Sequence, residues 1–229
     1  MELSPDAIVY WQWGPVTLNA TLVFTWIVML ILAGGSWLIT RNLSAEPEIP
    51  RWQNALETIV STIRSQIREI AEQDPHPYLP FIGSLFLFIS LSNLLGVVPF
   101  FEPPTSSLST TSALALCVFF AVPAYGIGQE GLKAYLRHYI EPTPLMAPFQ
   151  LISEFSRTLA LALRLFGNVM SGTLIVGILL SIVPLFLPVV LNLLEMLIGQ
   201  IQAYIFAVLA MVYIASGLSA GQEETQEDT

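Results

Sequence analysis

Charged residues are scarce in this chain. They make up 11% of it, against roughly 25% in an ordinary soluble domain, which argues against a water-soluble globule. Basic residues are scarcer still: eight Lys and Arg face seventeen Asp and Glu, for a net charge of −9. Nucleic acid is set aside as a partner, because phosphate binding needs a basic surface that this chain cannot assemble. The single cysteine, Cys117, sits in an apolar run, so there is neither a disulfide framework nor a cysteine metal site. His76 and His138 match no metal-ligand spacing and read as surface residues. The first 17 residues hold Glu2 and Asp6 but no Lys or Arg, so the basic start of a secretory signal is missing. The apolar run that follows is too long for such a signal and is expected to stay in the mature protein. No metalloprotease, serine-hydrolase or phosphate-loop motif occurs, which leaves an intramembrane enzyme without its chemical kit. Neither repeats nor long linkers divide the chain, so residues 1–229 read as one membrane domain.

What the chain has in abundance is apolar length: 54% of its residues are hydrophobic and its mean hydropathy is +0.68. A helix crossing a hydrocarbon core of ~30 Å needs about 20 apolar residues. Runs of that kind lie near 18–40, 79–101, 108–128, 148–182 and 186–217, with Pro184 and Pro188 marking the bend between the last two. The expectation is therefore all-α, with five transmembrane helices, the last two forming a long C-terminal hairpin. Between the first two, Trp52, Leu56, Ile59, Ile63, Ile67 and Ile70 recur at helical spacing among Glu57, Arg64, Arg68 and Glu69. That stretch, 51–72, reads as an amphipathic helix at the membrane surface. The proline-rich pieces Glu102–Pro104 and Glu141–Pro148 read as loop punctuation, and the acidic tail from Glu223 as a solvated, frayed end.

Lys and Arg near span ends are retained on the cytoplasmic side. Arg41, Arg51, Arg64 and Arg68 follow span one, Lys133 and Arg137 follow span three, and Arg157 opens span four. The alternate loops carry none. The N-terminus is thus expected outside and the C-terminus, after an odd number of spans, in the cytoplasm.

Arg164 breaks the pattern, lying deep in Leu159-Ala-Leu-Ala-Leu-Arg-Leu-Phe-Gly-Asn168. An Arg at a helix centre costs ~2.5–3.5 kcal/mol on insertion scales, so something must offset it. Glu195 is the one carboxylate well inside the other long span. In an antiparallel hairpin turning near 183–186, residues at equal depth have numbers summing to about 366–369 at a rise of ~1.5 Å per residue. Arg164 is then level with Gln202, and Glu195 with Thr173. An Arg164–Glu195 pair is therefore strained or impossible, and the guanidinium's charge partner is missing from the chain. Arg157, Arg164, Asn168 and Ser171 share one face of span four, and Asn192, Glu195, Gly199, Gln202 and Tyr213 one face of span five. Such stripes serve either helix–helix hydrogen bonding, with Gly167, Gly172 and Gly199 permitting close approach, or a water-accessible ion path. On the second account Glu195 is the ion-accepting station, and Arg164 acts by charge alone, since guanidinium does not release its proton.

Leu163-Arg-Leu-Phe-Gly-Asn168, followed by Ile201-Gln-Ala-Tyr-Ile-Phe206, resembles the paired signature of subunit a of F-type rotary ATP synthases. The resemblance extends to Ser92-Asn-Leu-Leu-Gly-Val-Val-Pro99 and to the order of spans. It implies a non-catalytic stator subunit whose tilted C-terminal hairpin faces a ring of c subunits, with b-type peripheral-stalk subunits and the lipid bilayer as further partners and no cofactor. A carboxylate on each c subunit would supply the missing partner of Arg164. The transported ion, a proton or sodium, would pass through two half-channels, with Gln202 and Asn168 matching the polar residues that accompany the family's Arg. Glu154 and Arg157 would lie toward the inner half-channel, although Glu154 also reads as a solvated helix-end charge. Many family members carry a carboxylate at the position matching Thr173 and often His at the one matching Glu195; here the acid stands on span five instead. The implied location is a bacterial-type plasma membrane, or a thylakoid membrane if the source is photosynthetic. A self-contained secondary transporter binding an anion at Arg164 is the alternative, and it calls for inverted repeats that the sequence does not display.

Overall fold

The computed structural model describes residues 6, 9–13, 16–41, 51–71, 74–98, 101–131, 146–182 and 187–227. Lys133, Arg137, His138 and the turn at 183–186, on which parts of the sequence reading rest, lie outside these residues. Among the described residues six α-helices carry the architecture: α1 (Ala20–Arg41), α2 (Arg51–Ala71), α3 (Leu79–Leu95), α4 (Leu108–Glu130), α5 (Met146–Ile182) and α6 (Leu187–Glu227). Ahead of them stands a hairpin that the span-counting view passed over, β1 (Val9–Trp13) antiparallel to β2 (Val16–Asn19), with Trp11 opposite Leu18 and Trp13 opposite Val16. Aromatic and β-branched residues suit a pleated pair.

Among the described residues four helices, α1, α4, α5 and α6, are long and apolar enough to cross a membrane. The span expected at 79–101 is corrected: α3 is helical for 17 residues only, Leu79–Leu95, a rise of about 26 Å. Apolar character runs on through Val97 and Val98, but Pro99 disfavours helical backbone in the residue before it. The chain turns instead, with Gly96 and Val98 N–H groups donating to Asn93 and Leu95 carbonyls at 3.2 and 2.9 Å. The tail differs as well: α6 continues to Glu227, through the acidic run from Glu223 expected to be a frayed end. Ser107 caps α4, its hydroxyl accepting from the Ser109 N–H at 3.2 Å.

The core lies where α3, α4, α5 and α6 meet. Ile82, Leu85 and Ile89 from α3 pack with Val118 and Val122 from α4, Leu161 and Leu165 from α5, and Phe206, Met211 and Ile214 from α6. Ala115, Ala121, Ala162, Ala203, Ala207 and Ala210 are buried among them, and such small side chains let apolar helices approach closely. Ile67 of α2 is buried in the same cluster and Ile63 and Ile70 pack against it, while Arg64 and Arg68 are exposed. That two-sidedness is the amphipathic character expected of 51–72. Coverage is uneven: 44% of the apolar stretch of α6 is buried but only 11% of that of α5. One side of α5 is therefore left open along most of its length.

Candidate functional site

The hairpin register matches the equal-depth rule at Thr173 and Glu195, whereas Gln202, expected level with Arg164, meets Asn168 one turn further along α5. Thr173 Oγ1 donates to Glu195 Oε1 at 3.3 Å, and Asn168 Nδ2 donates to Gln202 Oε1 at 2.7 Å. Further along, the Arg157 guanidinium lies 5.6 Å over the Tyr213 ring and donates to Ser216 Oγ at 3.4 Å. Two glycines permit this fit. A Cβ on Gly172 would stand 2.7 Å from the Glu195 carboxyl carbon, and one on Gly199 would stand 2.8 Å from Asn93 Cβ. Gly167 differs from its expected role, because a Cβ there would meet nothing within 4 Å.

Arg164 is exposed on the open side of α5. Among the described residues it has no hydrogen bond or ion pair. Glu195 is engaged with Thr173 instead, nine residues along α5 from Arg164, which is about 14 Å of helix axis. At helical spacing from Arg164 the exposed residues Ser153, Ser156, Ala160, Gly167, Asn168 and Ser171 form a small or polar stripe, flanked by the exposed apolar Phe155, Leu159 and Leu163. Gln202, level with this region, is 2% exposed, and its Nε2 has no partner among the described residues. Glu154 is half-buried one turn before Arg157; the structure brings neither of them to Arg164.

A cavity of about 560 Å³ opens between α5, α6, the end of α3 and the loop after it. Asn168, Ser171 and Thr173 line it from α5, Asn192 and Glu195 from α6, and Asn93, Glu102 and Ser106 from the far wall. Its polar groups are carboxylates, amides and hydroxyls, which suit a proton relay or hard oxygen coordination of a cation. The far wall is what helix-face reasoning on the last two spans missed. Asn93 is 8% exposed; its Nδ2 donates to the Gly199 carbonyl at 2.9 Å and its Oδ1 accepts from Thr105 Oγ1 at 2.6 Å. One turn below, Gln200 Nε2 donates to the Ser90 carbonyl at 2.9 Å. The loop at Glu102–Pro104 is therefore more than punctuation. The one sequence signal for this wall was the Ser92–Pro99 motif.

Asn93→Leu leaves the Thr105 hydroxyl and the Gly199 carbonyl without their partner. At about 1–3 kcal/mol for each buried group left unsatisfied, the variant is expected to melt at lower temperature in detergent. An unchanged melting profile would show that this junction contributes nothing.

The profile of the family described as ATP synthase A chain matches residues 22–215. The chain is 62% identical over 225 residues to ATP synthase subunit a 1 of Crocosphaera subtropica, covering 98% of each. It is 60% identical over 229 residues to ATP synthase subunit a 2 of Acaryochloris marina, covering all of this chain and 98% of the relative. With ATP synthase subunit a of Nitrosospira multiformis the identity is 54% over 223 residues, 97% of this chain and 89% of the other.

Proposed function

Since this chain belongs to the ATP synthase A chain family, whose members are non-catalytic membrane subunits acting in ion transport and ATP synthesis, we propose that it conducts the ion through two half-channels and that Arg164 is the fixed charge past which a ring of c subunits turns. The observation that carries this reading is the exposed Arg164, without a partner among the described residues, on the least covered side of the core hairpin. A buried carboxylate arriving from a neighbouring rotor supplies the missing anion. Opposite charges 4 Å apart attract by roughly 4 kcal/mol at an effective dielectric of 20. One charge crossing 100 mV yields about 2.3 kcal/mol. The contact is thus strong enough to keep the passing carboxylate ionised and of the same order as the drive that must break it.

The cavity with Glu195 at its α6 wall serves as the outer half-channel, with Thr173, Asn168 and Gln202 alongside. The inner half-channel runs past Ser153, Ser156 and Arg157, with Glu154 near its cytoplasmic end. In this reading α3 and the turn after it complete a fifth crossing, the N-terminus is outside and the C-terminus cytoplasmic, and b-type subunits hold the stator. ATP chemistry belongs to other subunits. The transported ion is a proton or sodium. Sodium stimulation of ATP hydrolysis, together with sodium shielding of the ring carboxylate from carbodiimide, is the result expected of sodium; insensitivity in both assays is expected of protons.

The open stripe gives a direct steric test. Gly167 lies one turn from Arg164 on the same side, with free space where a side chain would begin. Gly167→Leu raises helix propensity by about 1 kcal/mol and intrudes only on whatever docks against α5. The expected result is normal accumulation of the subunit with ion-driven ATP synthesis reduced about tenfold or more, of the order that misplacement at a reacting centre brings. Wild-type synthesis by that variant in membrane vesicles would mean that no rotor passes there.

A further inference from the structure

The cavity carries a second carboxylate. Glu102, half-buried on the loop between α3 and α4, lines the same space as Glu195. Its loop is tied down on several sides. Thr105 is bonded to Asn93, and Pro103 folds over Gly96, where a Cβ would stand 3.2 Å from the proline Cγ. Asp6 accepts from Ser107 Oγ at 2.6 Å and from Thr21 Oγ1 at 2.7 Å, joining the start of α1 to the start of α4. Two consecutive prolines, Pro103 and Pro104, fix the backbone φ directly after Glu102.

The charges at this end are all of one sign. Asp6 and Glu102 lie on it and Glu195 lines the cavity wall, while no Lys or Arg occurs before Arg41, between Arg68 and Lys133, or after Arg164. A cleft lined by one sign of charge and walled by apolar helices focuses its field and raises the local concentration of the opposite ion.

We infer that Glu102 is the cation-collecting residue of the outer cavity, raising the effective concentration of the transported cation at the mouth from which Glu195 is loaded. The inference rests on the reading of that cavity as the outer half-channel. Glu102 acts through its field and its position, so its signature is in saturation behaviour rather than in maximal turnover.

The test uses the purified whole complex in proteoliposomes, with ATP synthesis driven by an imposed potential. The cation facing the cavity is stepped in two ways, as pH without sodium and as sodium at fixed pH. For whichever ion drives synthesis, Glu102→Gln is expected to raise the half-saturating concentration about three- to tenfold, Glu102→Lys further, and Glu102→Asp little. The differences should shrink between 0.01 M and 1 M inert salt, as the screening length falls from about 30 Å to about 3 Å. A flat half-saturation across the three variants overturns the inference, as does a fall in maximal rate at unchanged half-saturation, which marks a merely structural residue. Glu195→Gln is run in parallel. If it loses flux while the Glu102 series stays flat, the half-channel reading stands and only this inference fails; if it conducts normally, the half-channel reading itself fails.

Discussion

Replacing Arg164 by alanine is expected to abolish ion-coupled ATP synthesis and ATP-driven ion pumping while the subunit still inserts and assembles. Two observations separate these effects. Arg164 is exposed and has no partner among the described residues, so its removal breaks no contact there. Losing an Arg from the middle of an apolar helix also relieves ~2.5–3.5 kcal/mol of insertion cost. The functional loss, by contrast, is that of an attraction of roughly 4 kcal/mol, a factor of about 10³ in the population of the ionised rotor site. Arg164→Lys keeps a positive charge but loses the planar fork that grips a carboxylate from a range of approach angles, and poor function is expected for it too. Pumping at the wild-type rate in Arg164→Ala vesicles would refute the role given to this residue.

The second large effect concerns Glu195. Glu195→Gln removes the acid on the α6 wall of the cavity, and ion flux is expected to fall about 10²-fold, the lower end of what a positioned acid–base group contributes. Thr173 Oγ1 is 3.3 Å from the Glu195 carboxylate, so an acid at either position reaches the same part of the cavity. Thr173→Glu combined with Glu195→Gln, which moves the acid across to α5, should recover at least a tenth of the lost flux, set by how well the new side chain fits beside Gly172. Proteoliposome flux measurements on the three variants decide the matter. Full activity of Glu195→Gln alone would remove it from the path, and a double variant no better than the single would mean that the acid must project from α6.

Much of this arrangement is legible in the amino-acid order because it follows from periodicities. Hydropathy marks α1, α4, α5 and α6, since a helix that must satisfy its own backbone in lipid needs a long apolar run. The rise per residue brings the facing residues to within about a turn: Thr173–Glu195 sums to 368, inside the roughly 366–369 expected from the turn alone, while Gln202 meets Asn168, summing to 370, rather than Arg164. The end of α3 was less legible, because Val97 and Val98 are apolar whether helical or turning, and a hydropathy sum does not register the backbone restriction before Pro99. The N-terminal strands were missed because nine residues of β-hairpin contribute to hydropathy much as a span end does. Least legible was the cavity's far wall. Asn93 meets Gly199 across 106 positions of sequence, and no local period encodes that encounter.

The polar ties between helices have a mechanical consequence. Asn168–Gln202 and Thr173–Glu195 fasten α5 to α6, and Gln200–Ser90 and Asn93–Gly199 fasten α6 to α3 at nearly the same height. A sideways push delivered to α5 thus has a short route through directional bonds into the best-buried part of the bundle, where apolar packing alone would allow one helix to creep along another. If a rotor turns past Arg164 as proposed, these cross-braces are what carry its sideways load into the bundle.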